Sequence, residues 1–516
     1  GSLTLIGGRI DELKFKDYRT VNSPDAPIVT LLTPEGQGNA YYGTHGWAPT
    51  AGMAATDVPG PNTLWTAPDA AGLTVENPVT LTWDNGNGLV FTKTIRIDEN
   101  YMFTIEQGVT NSTTAPVSVA PYGVISRTGL PDDLKNFFIL HEGLVSMADG
   151  TLGETDYDDM QDYDRHDVER ALAERTDVTD QAWIGFTDHY WMTTLIPANP
   201  LKIVGKYNPL RDTYIAEAVG RTLTVDAGGQ ITTTSQFFAG AKEWEAIRTY
   251  QNQGDVEGFL DSIDWGWFYF LTKPIFAVLH WLNALIGNMG WAIIALTLII
   301  KAVLLPLAYK SYVSMARMKE LQPEMEKLKE SAGDDREKMQ KGMMELYKKN
   351  KVNPASGCLP ILLQIPIFFS LYKVIFVTLE LRHAPWLGPF QDLSAPDPTS
   401  IFNLFGLFSW AGPEQGSILA LIFIGILPLL LGISMWMQQK LNPAPTDPTQ
   451  AMIFAWMPWV FMFMLGGFAS GLVVYWIANN TITFAQQYLI MRSQGVTPDV
   501  FGNIRASFKR ATQKED

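Results

Sequence analysis

The sequence predicts two structural classes in one chain: an antiparallel β-sandwich over residues 1–252, then an α-helical membrane bundle of five spans carrying a cytoplasmic helical hairpin. Charge is the first observation behind this division. Residues 1–263 hold 17 Lys+Arg against 36 Asp+Glu, net −19, whereas residues 264–516 hold 21 against 17, net +4. Hydropathy is the second, because short alternating runs give way after Asp264 to five apolar runs of 18 to 21 residues. The mean hydropathy of +0.02 averages the two halves and conceals both signals. An acidic domain of this size can build its own core, and its charge argues against a nucleic-acid substrate. The second half calls for a lipid bilayer.

Within residues 1–240, runs such as Val79-Thr80-Leu81-Thr82 and Phe91-Thr92-Lys93-Thr94-Ile95 alternate apolar with polar. Turn signals at Asp84-Asn85-Gly86 and Gly228-Gly229 separate such runs, which is the pattern of antiparallel strands. Residues 151–180 interrupt it with 11 Asp/Glu against 3 Arg. They lack the glycine and terminal glutamate spacing of a calcium loop, so a solvated loop is expected there. Residues 241–252 read as a helix closing the domain. A linker and an interfacial amphipathic helix are expected over 253–288, since 265–287 sets Lys273-Pro274, His280 and Asn283 among Trp265, Phe268, Phe276 and Leu279. The single Cys358 excludes an intramolecular disulfide and a CxxC metal site. Gly1-Ser2 shows neither Met nor an apolar leader, so any targeting element is expected outside this sequence.

The expected core, 289–491, contains spans at 289–308, 359–379, 418–437, 451–468 and 471–491, each near the ~20 residues that cross a ~30 Å hydrocarbon layer. Lys+Arg number 11 in 309–358, one in 438–450 and five in the basic tail 492–516, but only Arg382 occurs in 380–417. With five spans all three basic segments fall in the cytoplasm and the acidic sandwich outside, whereas a sixth span at 265–287, which length and Lys/Arg counts alone leave open but its polar residues do not favour, would put the sandwich in the cytoplasm. In 309–353, helical spacing on both sides of Gly333-Asp334-Asp335 predicts a hairpin. Its methionines are read mostly as the hairpin's own seam, with a capture surface for apolar segments as the alternative.

Enzymatic signatures are missing: there is no Walker A loop, HExxH or GxSxG, and His45, His141, His166, His189, His280 and His383 are scattered. No cofactor is expected. The informative anomaly is Lys301, about 13 to 16 Å from either end of its apolar run, where a charge costs roughly 2.5–3.5 kcal/mol. Its stem is too short to reach bulk water by snorkelling alone. A wet cavity, a structural ion pair or a neutral lysine each accommodates it, and the ion pair is weakened because no Asp or Glu occurs in any of the five spans. Thr297 shares its helix face, and Gln364, Asn479, Asn480, Thr483 and Gln486 are intramembrane on other spans; together they can line a polar groove. Pro306, Pro366, Pro428 and Pro458 each remove an amide donor, consistent with interrupted helices around water.

A series of short motifs then occurs in one order. It runs through Trp265-Gly266-Trp267-Phe268 with Lys273-Pro274, Gly287-Asn288, a span with Lys301 and Pro306, Leu321-Gln322-Pro323 and Tyr347-Lys348. It continues through Lys351-Val352-Asn353-Pro354, Gly357-Cys358-Leu359-Pro360, Gln364-Ile365-Pro366-Ile367-Phe368, Asp447-Pro448, Met457-Pro458 and Ser470-Gly471-Leu472-Val473 with Tyr475. This series, covering about residues 265–491, closely resembles the YidC membrane protein insertases, and the sandwich is similar to the large periplasmic domain of their Gram-negative members. The resemblance implies a multi-pass protein of the bacterial inner membrane with a hydrophilic groove open to cytoplasm and lipid. It would insert nascent membrane proteins alone, with ribosomes, or beside the SecYEG translocon and accessory Sec proteins. An acidic translocated segment would be drawn to the groove's positive charge while an apolar segment slides along the third and fifth spans. Family contact positions fall on Thr297, Ile365, Phe368, Tyr475 and Trp476. The groove cation is usually arginine in this family; Lys301 supplies a point charge without bidentate geometry. The family's first membrane helix would precede Gly1. A channel or secondary transporter is the competing class, but neither paired hydropathy halves nor a coupling carboxylate is found. A sugar-binding domain on a tether is a third, suggested by sandwich shape alone.

Overall fold

Buried and outward side chains alternate along Leu89–Ile97, where Leu89, Phe91, Lys93 and Ile95 point inward with the two-residue period of a strand. The computed structural model describes residues 1–496 apart from 51, 69–71, 135–139, 334, 351, 354–358, 409, 411, 414–416 and 443–447. The chain divides into two units, Gly1–Asp264 with Val377–Leu379, and Trp265–Phe376 with Glu380–Asp516. In the first, two antiparallel sheets share their core. The ten-stranded sheet is ordered Ser2–Thr4, Arg9–Arg19, Tyr41–Pro49, Val117–Thr128, Thr213–Gly220, Pro200–Asn208, Ala171–Asp177, Arg165–His166, with Ile28–Leu32 on the second strand and Leu223–Val225 on the fourth. The eight-stranded sheet runs Thr151–Asp156, Gly143–Ala148, Ala182–Thr187, Trp191–Ile196, Gln230–Ala241, Met102–Asn111, Leu89–Ile97, Val79–Asp84. Phe15, Phe186, Tyr214 and Phe237 centre one cluster between them, and Trp47, Leu81 and Phe91 a second. The expected turn at Asp84-Asn85-Gly86 closes with Asn85 N donating to Leu89 O at 3.0 Å, and Gly86 adopts the φ of +73° that its position requires.

The acidic stretch 151–180 differs from expectation. It folds into the edge strand Thr151–Asp156, helix α1 (Tyr157–Gln161) and the strand Ala171–Asp177. Apolar side chains seat it: Tyr157 and Met160 are fully buried, and Ala173 and Val178 are buried as well. One of its acids is held by cations, with Glu169 paired to Lys202, to Lys206 at 3.0 Å and to Arg175 at 3.5 Å. Lys93 is a buried cation without such a carboxylate among the described residues. Its ammonium donates to Gly8 O at 3.0 Å and lies 4.9 Å over the Trp65 ring, and burial pushes its pKa down to about 7. The closing helix α2 is Trp244–Gln253.

The second unit opens with α3 (Tyr269–Ile286), ended by Gly287 in a left-handed cap. Asn288 caps α4 (Met289–Glu320) by accepting from Trp291 N at 3.2 Å. Rather than stopping at 308, α4 runs on as the first arm of the hairpin, and Pro306 does not end it. Gly333 and the capping carboxylate of Asp335 separate α5 (Gln322–Ala332) from α6 (Arg336–Lys349). Met325 packs with Leu321, Val352, Met343 and Leu346, which is the seam reading for those methionines, whereas Met344 is exposed. α7 is Leu359–Val377; Cys358 lies outside the described residues.

The third expected span is broken into α8 (Ile418–Ile422) and α9 (Ile426–Leu441). Pro428 stands in the first turn of α9, where a missing amide is harmless. The open amides there are met from the preceding loop, Leu427 N donating to Asp397 Oδ2 at 2.7 Å and Ile426 N to Thr399 Oγ1 at 2.9 Å. α10 (Pro448–Met464) and α11 (Ser470–Ser493) complete the unit. Among the described residues, three helices are long and apolar enough to cross a membrane by length and composition, at Tyr269–Ile286, Met289–Glu320 and Thr449–Gly467. α11 has the length but carries Asn479, Asn480, Thr483 and Gln487, all buried.

Candidate functional site

Spacings of four, three and four residues on α11 bring Trp476, Asn480, Thr483 and Gln487 onto one face. That face, with parts of α4, α7, α9 and α10, encloses a cavity of about 520 Å³. α4 contributes Lys301 and Tyr312, α7 contributes Gln364, Ile365 and Phe368, and α10 contributes Phe461. Lys301 Nζ donates to Gln364 Oε1 at 3.1 Å, and Gln364 Nε2 donates to the Tyr475 hydroxyl at 2.5 Å. Tyr475, 1% exposed, therefore orients the amide so that its oxygen faces the ammonium. Among the described residues Lys301 has no carboxylate partner, and the cavity lining contains no Asp or Glu. Its positive charge is countered only by dipoles, which leaves the cavity attractive to anions.

A second polar network lies along α11. Gln486 Nε2 donates to Lys301 O at 3.5 Å, Thr483 Oγ1 to Asn479 O at 2.6 Å, and Asn480 Nδ2 to Ser434 Oγ at 3.2 Å. Asn479 Oδ1 is buried and accepts no hydrogen bond among the described residues. The same cavity carries an aromatic cluster, with the Phe368 and Trp476 rings 4.9 Å apart and Phe461 5.9 Å from Trp476. Ile365, at the cavity edge, is 45% exposed.

Of the residues singled out from the sequence, Lys301, Gln364, Ile365, Phe368, Trp476, Asn479, Asn480, Thr483 and Gln486 converge on this cavity. Two do not line it. Thr297 is buried with its hydroxyl turned back onto Ile293 O at 2.7 Å, and Tyr475 sits behind Gln364. Ile365 and Phe368 lie on α7, the second expected span, Phe461 on α10 and Trp476 on α11, so these apolar lining residues come from three helices. Gln438, Asn442 and Gln487 also line the cavity and were not foreseen. Gln438 and Asn442 lie just past the expected end of the third span, which α9 overruns to Leu441; Gln487 is four residues after Thr483, a spacing that pointed to it. Lys373, inside the second expected span, is also a buried lysine, 6% exposed, with its stem against Gly266.

Residues 281–496 match the family model described as 60Kd inner membrane protein, and residues 1–278, reaching into α3, match the YidC periplasmic domain. The membrane protein insertase YidC of Roseobacter denitrificans is 68% identical over 517 residues, covering 100% of this chain and 85% of the relative. That of a Ruegeria species is 67% identical over 512 residues, covering 99% and 84%. A crystal structure of an active YidC insertase with its first transmembrane domain resolved aligns with 94% of this chain and 89% of its own, at 19% identity and a TM-score of 0.39.

Proposed function

The chain belongs to the YidC family of membrane protein insertases, and from that premise we propose that the cavity between α4, α7, α9, α10 and α11 is the groove through which it works. The protein is an insertase of the inner membrane with a periplasmic domain; it acts on nascent membrane proteins and performs no covalent chemistry. The observation that carries the groove reading is Lys301, a cation inside an apolar bundle that faces amides and no carboxylate among the described residues.

A hydrophilic, acidic segment of a substrate gains most by leaving bulk water for such a site. Lys301 supplies a point charge held in place by Gln364, and amides along α11 replace part of the segment's hydration. The substrate's apolar segment meets Ile365, Phe368 and Trp476, and the exposed edge at Ile365 is its way out to lipid. Release is driven by partitioning, at about 25 cal/mol per Å² of apolar surface removed from water. Lys+Arg asymmetry supports five spans with the hairpin and C-terminal tail in the cytoplasm and the sandwich in the periplasm. α3 then lies in the interface despite its length, as its exposed Tyr269, Phe270 and Trp281, and Trp267 just before it, favour. The basic hairpin faces the side from which ribosomes deliver chains, and the same groove serves substrates arriving alone or beside the SecYEG translocon and accessory Sec proteins. Reconstitution in liposomes tests the function: insertion of a small single-span protein without uptake of small solutes is expected. Solute uptake without insertion would support a channel or transporter instead.

A further inference from the structure

The loop between α7 and α8 carries an apolar turn that core packing does not account for. No charged residue occurs in 398–413. The 3-10 turn Ile401–Gly406 and the segment after it leave Leu404, Leu407, Phe408 and Trp410 exposed, Leu407 by 79%. The Phe408 and Trp410 rings stack at 4.3 Å into a single plate. A contiguous exposed patch of this kind marks a binding surface.

Backbone bonding indicates what the surface binds. Phe405 N donates to Ser400 O at 2.8 Å, Phe408 N to Asn403 O at 3.1 Å, and Leu407 N to Leu404 O at 3.3 Å. Gly406 N donates to Asn403 Oδ1 at 2.9 Å, and the Trp410 indole N–H to Phe402 O at 3.2 Å. These five donors are met within the turn, while the side chains of Leu404, Leu407, Phe408 and Trp410 stay exposed. Irregular backbone needs that self-sufficiency at membrane depth, where no water completes its hydrogen bonds; a turn in water does not. Leu404 and Phe405 both hold left-handed conformations, φ 50° and 58°, a strain of about 1–3 kcal/mol each that a turn shaped only by water would shed.

Continuity supplies the occupant. Ile418 and Ile422 on α8 are likewise exposed, and α8 leads into the membrane helix α9. The nearest preceding charge, Asp397, is engaged in capping α9. We propose that Leu404, Leu407, Phe408 and Trp410 are seated among lipid acyl chains at the boundary with the headgroups, anchoring the outer end of the broken helix α8 and α9. With no cation in the turn, the recognition is of hydrocarbon and not of a phosphate headgroup. This goes beyond the insertase reading and requires only that the helical unit be embedded in a bilayer.

Depth-resolved quenching tests it on the full chain in nanodiscs, in a Cys358→Ser background. A small fluorophore is placed at Leu407→Cys, with controls at Gln391→Cys, exposed in the same loop, and Val460→Cys, exposed on α10. Brominated lipids should quench the Leu407 probe several-fold more than the Gln391 probe, most strongly with bromines about 5–10 Å below the headgroups, and aqueous iodide should reach it little. Iodide quenching without bromolipid quenching at Leu407, while the Val460 probe is quenched by lipid, would overturn the proposal. Protection from both quenchers at Leu407 would seat a protein there and overturn it equally. Loss of lipid quenching at Val460 too would sink the membrane bundle and this proposal with it.

Discussion

Replacing Lys301 with methionine keeps most of the stem and removes the charge, and the structure sets two opposing effects. Near the middle of an apolar helix the charge costs about 2.5–3.5 kcal/mol. Its hydrogen bond to Gln364 Oε1 at 3.1 Å opposes that, since bonds to charged groups contribute about 1.5–3 kcal/mol. The freed amide oxygen faces a cavity of about 520 Å³, ample for water, so the loss lies at the low end. The methionine variant should therefore be as stable as the parent or up to about 2 kcal/mol more so. Gln364→Leu is the counterpart. It strands the Tyr475 hydroxyl, which is 1% exposed, and deprives Lys301 of its acceptor, which should cost about 2–4 kcal/mol. Thermal unfolding of both single variants and the double variant in detergent reads these values and the coupling between them. A methionine variant destabilised by more than about 2 kcal/mol would make Lys301 a structural group.

Three further outcomes are expected. Burial raises the Glu169 pKa, but hydrogen bonds from Lys202 and Lys206 outweigh it and hold the group at about 2, below the usual 4.5. Its contribution is thus present above pH 4.5 and lost as pH falls towards 2. Hydrogen exchange in Ala171–Asp177 and Pro200–Asn208, corrected for intrinsic rates, should show a loss of about 1–2 kcal/mol over that window that Glu169→Gln abolishes; a pH-insensitive parent contradicts the pairing. Gly425→Ala would place a Cβ 2.3 Å from Asp397 Oδ2. It and Asp397→Ala should each lower stability by about 0.5–2 kcal/mol through loss of the same helix cap, and full additivity in the double variant would refute that shared cause. An impermeant maleimide should label Cys358 from the cytoplasmic side of oriented vesicles only, and labelling from the opposite side would invert the proposed topology.

The sandwich and the helices were readable in the sequence because burial imposes periods of two and about 3.6 residues wherever one face is apolar. Lys93 shares the inward face of the run Phe91, Lys93, Ile95, but nothing local shows that Gly8 and Trp65 receive it. Residues 151–180 read as a solvated loop because their order rests on Tyr157, Met160 and a cation cage supplied by strands far along the chain. Lys301 stood out by its depth alone. Its bond to Gln364, 63 residues away, and the turning of Thr297 onto its own helix depend on side-chain geometry that spacing does not determine. The break between α8 and α9 is similar: Pro428 hinted at it, but Asp397 and Thr399, which make it tolerable, lie in a separate loop.

The groove account is tested most directly by insertion of two matched single-span substrates, one with an acidic translocated tail and one with a neutral tail, by the parent and by Lys301→Arg, Lys301→Met and Lys301→Glu. Charge is expected to matter more than shape. Arginine should keep activity, methionine should slow the acidic-tail substrate most, and glutamate should slow that substrate further still while the neutral-tail substrate changes little. Equal insertion of both substrates by the lysine and methionine forms would contradict the account and remove Lys301 from the mechanism.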